Sequence, residues 1–314
     1  MMILKPKGRS GSNLLLPGLL IVIQLVAAGC ATKSPLEKLR ASAMEMQTAR
    51  SSEVPAPKLP EMNAENLEAL GDRYFANNDY YQAYLNYEKS LKLQPDTPRL
   101  YYKQGLLFLR TGKYDSAAES FEKVVAAEPE NASAHENLGT ALFQLKNYQQ
   151  AEMHLRKALE LNPSLWRSHN FLGNIYDFEK KYDLAAKEYA EAILIKPDEG
   201  LLYNNLGVSL SLAGRYEESI NAFKKALENK GPAEKVYNNL GLVLAKMGDD
   251  GKALEFFKKG SNTAQAYNNL GCVYLAKGEY EKAAQAFNKA IAASPKFYQK
   301  AYENLKKVEV GKMD

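Results

Sequence analysis

Tyr203–Gly207 reads YNNLG, and the same five residues recur at Tyr237–Gly241 and Tyr267–Gly271. The first two copies start 34 residues apart and the last two only 30. A fixed period of this size marks a chain built from repeats. Steps of 34 from Ala64 divide it into 64–97, 98–131, 132–165, 166–199, 200–233, 234–263 and 264–297, the sixth being four residues short. Repeat position 8 is always glycine, from Gly71 through Gly105, Gly139, Gly173, Gly207 and Gly241 to Gly271. Position 20 is Ala or Ser (Ala83, Ala117, Ala151, Ala185, Ser219, Ala253, Ala283), and position 24 is always large (Tyr87, Phe121, Leu155, Tyr189, Phe223, Phe257, Phe287).

Within each repeat, positions 4, 7, 8 and 11 fall on one face of a first helix, and 17, 20, 24 and 27 on one face of a second. A glycine inside a helix costs about 1 kcal/mol relative to alanine. Seven of them at one position imply that another helix presses close there, as Ala or Ser at position 20 permits. Pro95, Pro129, Pro163, Pro197 and Pro295 stop the second helices at position 32. The sixth repeat departs from this pattern: Asp250 replaces the usual Tyr of position 17, Gly260 replaces Ala at position 27, and no proline closes it. Gly260 is a helix stop and Asn262 a candidate N-cap. The spacing therefore predicts a second helix about one turn short, a local change of pitch and weaker packing.

This pattern resembles the tetratricopeptide repeat, and the resemblance covers about three-quarters of the chain. It implies an all-α fold: a right-handed α-solenoid of about seven helix-turn-helix units with a concave inner surface. The amphipathic stretch FYQKAYENLKKVEV, residues 297–310, is expected to cap the last repeat, with the capping helix and tail at 298–314.

The N-terminal 29 residues read as a targeting segment. MMILKPKGRS leads into LLLPGLLIVIQLVAAG, an apolar run too short and too interrupted by Pro17, Gly18 and Gln24 for a membrane span. It ends in VAAGC, which resembles the lipobox of bacterial lipoproteins, although Ala27 sits where Leu is commonest. The resemblance implies cleavage after residue 29 and a lipid on Cys30. Ala31, rather than Asp, implies transfer to the outer membrane, facing the periplasm. The alternative is an ordinary secretory signal that leaves Cys30 a free thiol. Residues 30–63 are polar and proline-bearing, a tether whose flexible form spans roughly 30 Å. Cys272 would then have no cysteine partner, so no disulfide is expected.

The formal charge of +4 is misleading, because Lys5, Lys7 and Arg9 of the leader contribute three of those charges. A nearly neutral body makes no electrostatic case for nucleic acid. The chain has no GxSxG, no phosphate-cradling glycine loop, no HExxH and no CxxC. His135, His154 and His169 are its only histidines. His135 and His169 both occupy position 4, either as a metal or acid–base pair across repeats or as core packing. No third ligand is evident. The expectation is a non-enzyme with no metal and no cofactor.

What remains is the inner stripe of positions 2, 5, 9 and 12, with 6 and 13 beside it. Position 6 supplies Asn137, Asn205, Asn239 and Asn269; position 5 supplies Asn170, Asn204, Asn238 and Asn268. Asparagine is a mediocre helix former, and the fold's own packing assigns it no task at these positions. The arrangement resembles the asparagine ladder of tetratricopeptide domains that hold extended peptides by their backbone, the alternative being solvated side chains. Phe143, Phe171, Phe178 and Leu212, with Val208, Leu242 and Leu275, would supply side-chain pockets. The Lys/Asn then Lys/Arg spacing of chaperone-type carboxylate clamps does not appear. The whole resembles the pilus-biogenesis lipoproteins of type IV and Tad/Flp systems, which implies a protein or peptide partner such as a secretin or pilus component. An adaptor for peptidoglycan hydrolases or synthases is the other scaffold reading, and an enzyme using one of the histidines is the remote one.

Overall fold

The computed structural model describes residues 62–294 and 298–311. The leader, Cys30, nearly all of the tether and Pro295 lie outside the described residues. Fifteen helices and no strand occur among the described residues. They come as consecutive pairs: α1 Ala64–Ala76 with α2 Tyr80–Leu93, α3 Pro98–Arg110 with α4 Tyr114–Ala127, and α5 Ala132–Gln144 with α6 Tyr148–Leu161. Next are α7 Trp166–Phe178 with α8 Tyr182–Ile195, and α9 Gly200–Leu212 with α10 Tyr216–Glu228. The last two pairs are α11 Ala233–Met247 with α12 Asp250–Gly260 and α13 Thr263–Ala276 with α14 Tyr280–Ala292, followed by the single α15 Gln299–Gly311. The two helices of a pair pack on each other, and each pair packs on the next. The result is an all-α, right-handed α-solenoid.

The glycines of position 8 now have a physical cause. A Cβ added at any of the seven would lie 2.5–2.7 Å from the side chain at position 24 of the same repeat. Gly207, for example, receives the ring of Phe223, and Gly139 receives Leu155. The side chains at position 24 are at most 2 % exposed, and every residue at position 20 is fully buried. The side chain of position 24, an aromatic ring in six of the seven repeats, rather than the second helix as a whole, fills the notch.

Each pair turns at position 15, where φ is positive in all seven repeats: 61° at Asn78, 72° at Gly112, 63° at Lys146, 60° at Lys180, 80° at Gly214, 91° at Gly248 and 74° at Gly278. Four of the seven are glycine, the residue without a Cβ penalty in that region.

In the sixth repeat α12 has 11 residues, where the other second helices have 13 or 14. Asn262 caps α13, its side chain accepting from the Gln265 amide. The expected weak packing is not found. α12 packs on α11 as extensively as any second helix on its first. Gly260 is the last helical residue, not a solvent-facing stop. Its added Cβ would lie 2.7 Å from the Glu234 carbonyl oxygen, and its own carbonyl accepts from Asn238 Nδ2 at 3.0 Å. Asp250 accepts from Tyr274 Oη of the next repeat at 2.7 Å. The missing turn is replaced by a close approach and two hydrogen bonds.

Candidate functional site

The first helices carry the inner stripe, and the asparagines on them form a chain of contacts from repeat to repeat. Asn205 Nδ2 donates to Asn170 Oδ1 at 3.0 Å, Asn239 Nδ2 to Asn204 Oδ1 at 3.1 Å, and Asn269 Nδ2 to Asn238 Oδ1 at 3.3 Å. At the N-terminal end Asn137 donates to Tyr102 Oη at 3.0 Å. At the C-terminal end Asn304 of α15 donates to Asn268 Oδ1 at 3.0 Å. Position 6 of one repeat thus bonds position 5 of the repeat before it.

This corrects the expectation that the fold has no use for these residues. Asn204 and Asn268 are buried, at 6 % and 2 % exposure, and cannot offer their amides to a ligand. Asn204 also donates to Asn205 Oδ1, and Asn238 donates to the Glu234 and Gly260 carbonyls. Each bond is worth about 0.5–1.5 kcal/mol net, so position 5 belongs to the solenoid's own stitching. Position 6 is different. Asn137, Asn239 and Asn269 are half-buried and each spends one amide hydrogen on the ladder. An amide offers two hydrogens and an acceptor oxygen, so each keeps one hydrogen and its Oδ1 without a partner among the described residues.

In the fourth repeat position 6 is Phe171, and the ladder gives way to rings. Phe143 meets Phe171 at 5.2 Å and Tyr148 at 5.6 Å between centroids, and Tyr148 meets Phe178 at 4.4 Å. Phe143, Phe171, Val208 and Leu275 are half-buried. Phe178, Leu212 and Leu242 remain 65 %, 46 % and 38 % exposed. A cavity of about 600 Å³ opens beside the last stretch of ladder, lined among others by Asn238, Asn239, Leu242, Lys246, Asn269, Cys272 and Lys277.

The carboxylates of the stripe differ along its length. Burial pushes Glu68 up, but hydrogen bonds from Lys103 and Arg99 outweigh it and hold the carboxyl below its ordinary value. Asp72 pairs with Lys103 at 2.6 Å. Glu136 and Asp177 make no ion pair among the described residues. Glu136 accepts from Ser168 Oγ at 3.1 Å, and Asp177 accepts from Ser209 and from Tyr189 Oη. Burial raises both of their pKa values.

The histidines do not form the pair that their shared position suggested. His135 Nδ1 lies 3.0 Å from His154 Nδ1 with the rings stacked, and its Nε2 lies 3.1 Å from the Pro129 carbonyl. His169 Nδ1 lies 2.7 Å from Glu188 Oε2. Each position-4 histidine is engaged by position 23 of its own repeat. No group of three or more metal-ligating side chains occurs among the described residues. Cys272 is exposed as a residue, yet its sulfur lies 3.5 Å from Asn304 Nδ2 and burial raises its pKa. No described helix is long and apolar enough to cross a membrane.

Family models described as tetratricopeptide or TPR repeat match residues 71–112, 102–165, 167–199, 201–228, 234–261 and 264–297. Together they span well over half of the chain. No curated protein matches it. Among solved structures, a tetratricopeptide repeat protein from Parabacteroides merdae is 20 % identical, with 78 % of this chain and 98 % of that one covered and a TM-score of 0.57. The MamA protein is 30 % identical over 53 % of this chain and 91 % of its own, with a TM-score of 0.49. YrrB, described as a TPR protein with an unusual peptide-binding site, is 26 % identical over 60 % of this chain and 100 % of its own, with a TM-score of 0.48. With repeat models tiling the helix pairs and a solved solenoid overlaying most of them, the chain belongs to the tetratricopeptide-repeat family.

Proposed function

We propose that this chain is a non-enzymatic scaffold that holds an extended peptide segment of a partner protein against its first helices. One observation carries the reading. After the ladder is made, Asn137, Asn239 and Asn269 retain an amide hydrogen and an acceptor oxygen that no described residue engages. The first helices also carry exposed Phe178, Leu212 and Leu242, and Leu242 lines one cavity with Asn239 and Asn269. Such amides can pair with both groups of a passing peptide unit, while the apolar neighbours select side chains. Lipid on Cys30 would hold the scaffold to the outer membrane on the periplasmic side. VAAGC and Ala31 support that placement, and several acyl chains anchor stably where one does not. In that setting the scaffold serves assembly of an envelope complex such as a pilus or secretin system.

The test starts with capture of a partner from envelope extract and titration of a synthetic segment of it. Phe178→Ser, Leu212→Ser and Leu242→Ser combined should weaken binding at least about tenfold, while exposed changes of this kind usually leave stability within about 0.5 kcal/mol per site. Undiminished affinity in the triple variant would remove the groove from the account. Loss of membrane association in Cys30→Ser tests the anchor separately.

A further inference from the structure

Charge along the groove is handled in three ways. In the first two repeats Glu68 and Asp72 are matched by Arg99 and Lys103 at 2.6 Å, so that end neutralises itself. In the middle neither Glu136 nor Asp177 makes an ion pair among the described residues: Asp177 accepts from hydroxyls, and Glu136 accepts from Ser168 and feels the Arg167 charge. In the last two repeats and α15 the sign reverses. Lys246 lines the 600 Å³ cavity and makes no ion pair among the described residues. Lys277, on the same cavity, donates to the Ala245 carbonyl at 2.6 Å, and Lys307 to Asn304 Oδ1 at 3.2 Å. Both acceptors are neutral; neither lysine makes an ion pair among the described residues, although the Lys277 charge also reaches Glu279 and helps to hold its carboxyl below the ordinary value. The Lys300 and Lys307 charges reach Cys272 on the cavity wall, where they pull against the effect of burial on its thiol. No Asp or Glu lines the cavity. Asp249 and Glu279, at the ends of these helices, are taken by Lys252 at 2.7 Å and Lys282 at 2.6 Å.

From this we infer that the groove of the sixth and seventh repeats takes an extended peptide segment bearing Asp or Glu side chains, its carboxylates meeting Lys246 and Lys277 and its apolar side chains resting on Leu242. The inference rests on the peptide-holding reading above and adds the chemical class of the ligand. The amides decide for a peptide over a phosphodiester. Asn239 and Asn269 each keep an Oδ1 that accepts from no donor among the described residues. A peptide N–H supplies one, whereas a phosphodiester brings only further acceptors. Self-neutralisation at the other end of the groove also means that the acidic part of the segment must sit toward the C-terminal repeats.

The experiment titrates the full chain with three labelled peptides of equal length, in which Leu alternates with Glu, with Gln or with Lys. The Glu peptide should bind about tenfold more tightly than the Gln peptide, the Lys peptide more weakly than either, and the Glu advantage should shrink as salt rises. Lys246→Glu should abolish the preference without changing the helical circular dichroism or the affinity for the Gln peptide. Equal binding of Glu and Gln peptides, an unchanged preference in Lys246→Glu, or no binding of the Glu peptide overturns the inference. Displacement of the Glu peptide by a short single-stranded oligonucleotide, with loss of oligonucleotide binding in Lys246→Glu, would reassign the lysines to a phosphate ligand. The groove reading is judged apart from this. If all three peptides bind alike and Leu242→Ser weakens all of them, the groove stands and only its charge preference falls.

Discussion

His135 and His154 can share only one proton between their Nδ1 atoms, 3.0 Å apart. The Nε2 of His135 carries a hydrogen toward the Pro129 carbonyl, so a fully protonated pair would set two N–H groups against each other. Burial first, and the neighbouring His135 second, lower the pKa of His154 below 6.5. The folded state therefore binds fewer protons than the unfolded one in that range. The contribution is intact above about pH 6.5 and is lost as pH falls through the depressed folded value. Glu136 and Asp177, whose pKa values are raised, act in the opposite sense, so only a difference between variants isolates the histidine. Denaturant melts of the wild type and His154→Gln between about pH 7 and 5 should show the wild type losing more stability on acidification. Parallel pH profiles would mean that His154 takes up a proton as readily in the folded as in the unfolded chain, against the effect of its burial. None of this was legible in the sequence: position 4 is visible as a repeat position, but nothing in the spacing says that its partner is position 23.

At the scale of elements, the glycine of position 8 and the large residue of position 24 form one joint. Gly207→Ala should gain about 1 kcal/mol of helix propensity. It also places a Cβ 2.6 Å from the Phe223 ring, and overpacking of that kind costs about 1–3 kcal/mol. The clash wins, because Phe223 is fully buried and the Ser219 hydroxyl ties α10 to the Gly207 carbonyl at 2.6 Å. A chemical melt should show net destabilisation, and Phe223→Leu combined with Gly207→Ala should cost less than the two changes summed. A melt raised by Gly207→Ala would show that the notch has slack. Seven glycines in one place made the need for closeness readable; what came close was not, since ring and glycine lie on different helices. For the same reason the short α12 read as a weak link. Gly260 looks like a breaker in one dimension, and only the packed chain shows Asn238 holding its carbonyl.

Across the whole molecule the ladder links the first helices of the last four repeats to α15, one bond per junction. The helix faces placed these asparagines on the inner wall but could not show residues 35 apart meeting. The repeated NN pair was the available signal, because adjacent donor and acceptor positions allow each repeat to bond both neighbours. Asn304→Ala would leave buried Asn268 without its donor, a loss of about 1–3 kcal/mol. The variant should melt earlier and its α15 should be cut first by protease; wild-type protease resistance at α15 would mean that Val308 and Ala301, both buried, seat the helix unaided. Solenoid repeats touch only their neighbours, so such a loss should stay local and leave the groove of the earlier repeats able to bind. In the proposed function, partner segments dock on the first helices, over the ladder. Hydrogen exchange of the full chain with and without a captured partner segment tests it most directly. Added protection should appear in α5, α7, α9, α11 and α13, with the second helices unchanged; protection confined to α6, α8 and α10 would place the partner on the other face and contradict the account.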